Sequence, residues 1–330
     1  MPVAATPLLR ARYYGRGMTH GLALLPWPDY AEVLGLAVDG LDVAVYDGTT
    51  DPAADVLDRV TFYVPPYMSS GHTLELMRRM PRLRVVQTLT AGVDSAWPHL
   101  PEGVTLCNAA GVHDASTAEL AVGLMLASLR GIDDFARAQP SGEWRYARHE
   151  SLADKRVLVI GSGHVGSAIT RRLEPFEVEI TRVGRTRRTL EHGAVVHAVD
   201  ELPVLLPDCD VIVLIVPQTP ETTGMVDAGF LARMRPGALL VNVARGAVVV
   251  TDDLVDAVRR GHVRAALDVT DPEPLPANHS LWTLPGVLIS PHVGGFTTAF
   301  LPRAHRLVAH QLRMWRLGDP LDNVMSRPGS

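Results

Sequence analysis

The run from Arg156 to Leu173, RVLVIGSGHVGSAITRRL, constrains the fold of this chain more than any other stretch. A continuous apolar, β-prone segment leads straight into glycines 161, 163 and 166, and a helical pattern follows at once. In a strand–loop–helix unit the first glycine permits the tight turn, the second lets the backbone approach a pyrophosphate, and the third lets helix and strand pack closely. The new helix presents unpaired N–H groups and a positive dipole end to the same place. Gly161, Ser162, Gly163, His164, Val165 and Gly166 are therefore the candidate dinucleotide cradle, with the His164 side chain read as a bystander.

That unit sits in a repeating pattern. After it come the apolar runs VEITRV, VIVLIVP, ALLVNVA, AALDV and VLIS, separated by helical stretches that include Asp227–Met234 and Thr251–Arg260. Continuous apolar strands alternating with helices predict a parallel sheet covered on both faces. Earlier in the chain, LALL, DVAVY, VTFYV, RVVQTL and VTLC predict a second, smaller parallel sheet. Between the two, Ser116 and Glu119 stand three apart before apolar residues at helical spacing, which predicts a long helix opened by a capping box. The last segment, TTAFLPRAHRLVAHQLRMWRLGDP, is helical in period, with Pro302 disturbing its first turn.

A length of 330 residues suits about two domains, and 47% hydrophobic with 20% charged residues is the balance of a globular chain with sizeable cores. The net charge of −5 excludes a broad nucleic-acid surface, so any basic function is local. Cys107 and Cys209 each lie in an apolar run and read as buried free thiols of a reducing, cytoplasmic compartment. No run has the length and apolar character of a membrane span, and residues 1–19 read as a loose arm. No metal-ligand spacing stands out.

The strongest local charge is at the tip of VEITRV. In a dinucleotide fold, a carboxylate about 20 residues beyond the glycines holds the adenosine ribose hydroxyls. Here that tip reads Gly184, Arg185, Thr186, Arg187, Arg188, with no acid. Guanidinium groups bind a 2′-phosphate that a carboxylate would repel. Arg185, Arg188 and the Thr186 hydroxyl are the candidate ligands, and NADP(H) is the expected cofactor, with NAD(H) possible.

Three further stretches fall at strand ends where ligands bind in such sheets: VNVARG, ALDVTDPEP and SPHVGG. They supply an arginine, carboxylates and a histidine, a set able to bind an anion and move a proton. In order, and together with GSGHVG, LTAGVD and STAEL, these motifs resemble the D-isomer-specific 2-hydroxyacid dehydrogenase family, over residues from about 60 to 315.

The resemblance implies an α/β chain of two doubly wound domains. A Rossmann cofactor domain (113–294) is inserted into a flavodoxin-like substrate domain (1–112 and 295–330). It implies that Arg245 binds the substrate carboxylate and carbonyl, that Glu273 partners a histidine, and that His292 is the acid/base. It also implies Ala244, Asp268, Val216, Pro217 and Thr222 along the cofactor, and backbone N–H groups of Ala91, Gly92 and Val93 on the substrate carboxylate. Tyr67, Met68 and Trp144 are candidates for the substrate side-chain pocket. The implied activity is reduction of a small 2-oxo acid of glyoxylate or hydroxypyruvate type to the D-2-hydroxy acid, by a homodimer. The family also resembles cofactor-sensing corepressors and relatives that oxidise formate or phosphite, and these stand as alternatives. The segment TAFLPR, residues 298–303, departs from the family's usual, more charged helix entry.

Overall fold

A computed structural model describes residues 21–68, 71–191 and 193–327. The arm expected at residues 1–19 lies outside them. The chain forms two compact units: the described parts of Met1–Val112 with Thr298–Ser330, and His113–Thr297.

In the first unit the strands β1 (Leu22–Leu25), β2 (Val43–Val45), β3 (Val60–Tyr63), β4 (Val85–Gln87) and β5 (Thr105–Cys107) form a sheet in the order β2-β1-β3-β4-β5. Every neighbouring pair is parallel. This is the flavodoxin-like order. The helix Phe300–Leu317 packs on one face through Phe300, Ala304, Val308, Leu312 and Trp315, a stripe at helical spacing buried against Phe62, Val85 and Cys107. Pro302 is its third residue, where a backbone N–H has no intrahelical partner to lose.

The second unit contains β6 (Arg156–Ile160), β7 (Glu179–Gly184), β8 (Arg188–Thr189), β9 (Val195–Ala198), β10 (Val211–Leu214), β11 (Ala238–Asn242), β12 (Val263–Leu267) and β13 (Val287–Ile289). Their order is β13-β12-β11-β10-β6-β7-β9-β8. The chain runs outward from β6 in both directions, which is the Rossmann arrangement and puts the topological switch between β6 and β10. Alternate residues of β6 and β10 serve two cores: Leu158, Ile160, Ile212 and Leu214 on one face, Val157, Val159, Val211 and Val213 on the other. Both faces are covered, so these strands read as unbroken apolar runs.

Two sequence expectations are corrected. The long helix runs Asp114–Arg130, so Ser116 lies inside it and does not cap it. The buried Ser116 hydroxyl instead bonds Thr297 Oγ1 at 2.7 Å, and Glu119 reaches Arg172 at 3.5 Å. The second unit also ends after Thr297, not Gly294. The Thr297 bond, and that between His113 Nδ1 and the Gly295 carbonyl at 3.3 Å, hold residues 295–297 to its long helix.

Candidate active site

The glycine loop is shaped by steric necessity at two positions and left open at the third. Gly161 has φ of 120°, and a Cβ there would strike the Ile215 carbonyl. A Cβ on Gly166 would strike the carbonyl of Gly161. One on Gly163 would meet nothing within 4 Å, so the loop is close-packed beneath and open above. Gly163 caps the helix His164–Leu173, whose first amides have no intrahelical acceptor. The loop therefore fits a dinucleotide pyrophosphate. The His164 side chain, 71% exposed, lies 3.7 Å from Asp114 Oδ2.

The arginines beside this loop have divided roles. Arg188 begins β8, which pairs antiparallel with β9 in a short hairpin. Its Nη2 donates to Ser162 Oγ at 2.5 Å, so its guanidinium lies directly on the glycine loop. Arg187 is tied to Glu201 Oε2 at 2.6 Å, and His197 Nδ1 bonds the same oxygen at 2.8 Å. The backbone N–H of Ala198, then His197 and Arg187, hold the Glu201 carboxyl down to about 2. Arg185 and Thr186 are exposed at the turn. Further along, Thr222 Oγ1 donates to the Pro217 carbonyl at 2.6 Å and accepts from Thr219 N at 2.8 Å. The Thr222 hydroxyl thus shapes the 217–222 loop, while Val216 packs against the core.

Arg245, Glu273 and His292 come from three successive strand ends. β11 ends at Asn242, which is 1% exposed. Its amide donates to the Arg245 carbonyl at 3.0 Å, and its oxygen accepts from Ala244 N at 3.0 Å. This clamp sets the half-buried Arg245, whose Nη1 donates to the Ala244 carbonyl at 2.7 Å. The next residue, Gly246, passes so close to Thr270 and Asp271 that a Cβ would strike their backbone. That contact braces the Arg245 turn against the loop carrying Glu273, which lies between two cis peptide bonds, Asp271–Pro272 and Glu273–Pro274. Glu273 Oε1 bonds His292 Nδ1 at 2.5 Å, with both side chains part-exposed. The bond occupies Nδ1 and leaves Nε2 as the ring nitrogen for proton exchange.

His292 has φ of 52°, a left-handed conformation that few non-glycine residues adopt. Asp268, at the end of β12 and 3% exposed, secures it. Asp268 Oδ1 accepts from Ser290 Oγ (2.7 Å) and Val293 N (3.0 Å), and Oδ2 accepts from Gly294 N (2.9 Å). Sequence reasoning singled out Asp268 for the cofactor. Its carboxylate bonds the histidine loop through both oxygens. Asn242 and Ser290 were missed altogether; their one signal was a polar residue closing an apolar strand.

In the other unit, Ala91, Gly92 and Val93 form a turn whose carbonyls are engaged and whose amides are not. Asn108 Nδ2 donates to the Ala91 carbonyl at 2.8 Å and Thr90 Oγ1 to that of Gly92 at 2.7 Å. The three N–H groups have no acceptor among the described residues. Tyr67 stacks on Phe300 with ring centroids 4.1 Å apart. Met68 is exposed, as is Trp144 at 91%.

The family description "D-isomer specific 2-hydroxyacid dehydrogenase, NAD binding domain" matches residues 122–294. The human glyoxylate reductase/hydroxypyruvate reductase is 34% identical over 256 residues, covering 74% of this chain and 77% of its own. Among solved structures, a D-isomer specific 2-hydroxyacid dehydrogenase from Xanthobacter autotrophicus Py2 in complex with NADPH and MES superposes with a TM-score of 0.78 at 30% identity, covering 93% of this chain and 98% of that one. The NADPH-dependent glyoxylate/hydroxypyruvate reductase of Sinorhizobium meliloti in complex with NADP and sulfate gives a TM-score of 0.78 at 26% identity, with the same coverage of both chains.

Proposed function

The chain belongs to the D-isomer-specific 2-hydroxyacid dehydrogenase family, and on that premise we propose that it reduces a small 2-oxo acid of glyoxylate or hydroxypyruvate type with NADPH, giving the D-2-hydroxy acid. The observation that carries this reading is the Glu273–His292 pair held beside the braced Arg245 turn. Arg245 offers a planar fork to the carboxylate and carbonyl of the acid. His292 delivers the Nε2 proton to the carbonyl oxygen as that oxygen becomes a hydroxyl, and Glu273 steadies the ring through Nδ1. The amides of Ala91, Gly92 and Val93 suit a carboxylate oxygen. When bound, the nicotinamide cofactor supplies the hydride.

The preference for NADPH rests on Arg185, Thr186 and Arg188 at the tip of β7, where an NAD-type site would have a carboxylate. A homodimer is part of the proposal, supported by Trp144 and Tyr146, which stand 91% and 94% exposed on one short loop and would be costly to leave in water. A cytoplasmic setting is supported by two buried free thiols.

The test is NADPH and NADH oxidation against a panel of 2-oxo acids, with formate and phosphite offered to the oxidised cofactors. Turnover of glyoxylate or hydroxypyruvate, faster with NADPH, is expected. No turnover alongside tight cofactor binding would point to a sensing protein instead. Turnover of formate or phosphite alone would reassign the substrate.

A further inference from the structure

We propose that the first unit carries a binding site for a small phosphate-bearing anion, separate from the residues assigned above. It is an open hollow of about 260 Å³ lined by Ala110, Gly111, Val112, Arg303, Arg306 and Leu307. Two of the six are arginines and none is acidic.

Arg303 and Arg306 lie three apart on the helix Phe300–Leu317 and so are neighbours on its surface. Neither has an ion-pair or hydrogen-bond partner among the described residues. Farther along the same helix Arg316 behaves differently, donating to the Asp39 carbonyl at 2.6 Å. The helix has no acid in its first turn and no side-chain cap, so its positive dipole end adds to the two guanidiniums without compensation. Two like charges held together are unfavourable until an anion joins them, and paired guanidiniums match the oxygens of a phosphate.

The opposite wall is backbone. Gly111 has φ of 92°, a Cβ on it would meet nothing within 4 Å, and its N–H has no acceptor among the described residues. The turn is held from behind: Asn108 Oδ1 accepts from Ala110 N at 3.1 Å, and Asn323 Nδ2 donates to the Ala110 carbonyl at 3.2 Å. Two cations therefore face a rigid turn with a spare donor. Asn108 also holds the Ala91 carbonyl, so the ligand would act on the same scaffold as the Ala91–Val93 turn.

The experiment titrates inorganic phosphate into the full chain by calorimetry, in phosphate-free buffer with saturating NADP⁺, so that the cofactor's own phosphate sites are filled. One saturable site is expected, weakened at least about tenfold by Arg303→Ala or Arg306→Ala, lost in the double variant, partly kept in Arg306→Lys, and unmoved by Arg245→Ala. Glycerol 3-phosphate is titrated in parallel. Tighter binding of the ester assigns the site to a phosphorylated metabolite, and equal or weaker binding assigns it to free phosphate. An unchanged circular dichroism spectrum and thermal unfolding transition in the double variant exclude misfolding as the cause of a loss. Absence of saturable phosphate binding, or binding that survives the double variant, overturns the proposal whether or not the enzyme reduces 2-oxo acids.

Discussion

The main-chain N–H of His292 donates to the carbonyl oxygen of Asp268 at 2.8 Å, while the Asp268 carboxylate holds the chain on both sides of the histidine. One buried residue thus fixes the left-handed turn that aims the imidazole. In Asp268→Asn the new NH2 faces N–H or hydroxyl donors, leaving buried groups unpaired at a cost of about 1–3 kcal/mol. Thermal unfolding should shift down accordingly, and kcat should fall about tenfold to a hundredfold as the ring loses its aim. Wild-type values for both in Asp268→Asn would show that the carboxylate does not position His292.

Gly246→Ala places a methyl group against the backbone of Thr270 and Asp271, which cannot yield as a flexible side chain would. The Arg245 turn and the Glu273 loop must separate. A loss of kcat/KM of about a hundredfold or more is expected with near-normal cofactor binding, measured by steady-state kinetics and fluorescence titration. Retained activity would mean the two loops need not touch.

His292→Ala should abolish reduction while leaving cofactor affinity nearly intact, and Glu273→Gln should lower kcat with little change in KM. Because the two residues act as a pair, the double variant should be no worse than His292→Ala alone. Multiplicative losses would separate Glu273 from the histidine's role.

Glu201 anchors the hairpin, and its carboxyl lies at about 2 in the folded chain against an ordinary 4.5. A group lowered on folding contributes stability above its unfolded value and loses it as the pH falls through the folded one. Hydrogen exchange of residues 188–191 and 193–198 should therefore accelerate as the pH is lowered from about 4.5 towards 2, relative to the β6 amides, after correction for intrinsic exchange. In Glu201→Gln that pH dependence should vanish. A hairpin equally protected throughout that range would remove Glu201 as its anchor.

The two thiols should be silent in the native chain. Burial pushes Cys107 up to about 12 and Cys209 up to about 11, so neither supplies thiolate near neutral pH. A thiol reagent should find no reactive group until denaturant is added, and then two. Rapid reaction in native buffer would place at least one of them nearer the surface.

Much of both sheets was legible because their central strands are buried on both faces, and that burial writes itself as apolar runs such as VIVLIVP. The β8–β9 hairpin escaped notice because it is short and half-exposed, so solvent leaves its alternation weak. Ser116 misled for another reason: its spacing to Glu119 satisfies the local rule, but a partner at Thr297 captures the hydroxyl. The glycine cradle and Arg245, Glu273 and His292 were visible as motifs. The clamps behind them, Asn242 and the Asp268–Ser290 pair, were not, because they join residues that only the fold brings together.

The hairpin that carries the arginine run separates what holds it in shape from what it displays. Arg187 is bound to Glu201 and belongs to the fold, whereas Arg185 and Thr186 project from the turn and Arg188 rests on Ser162. Substitutions at 185, 186 and 188 change the charge next to the glycine loop without touching the Glu201 anchor. If these three residues set the choice of cofactor as proposed, that choice is a trait that selection, natural or in the laboratory, is free to revise without first rescuing the protein from unfolding.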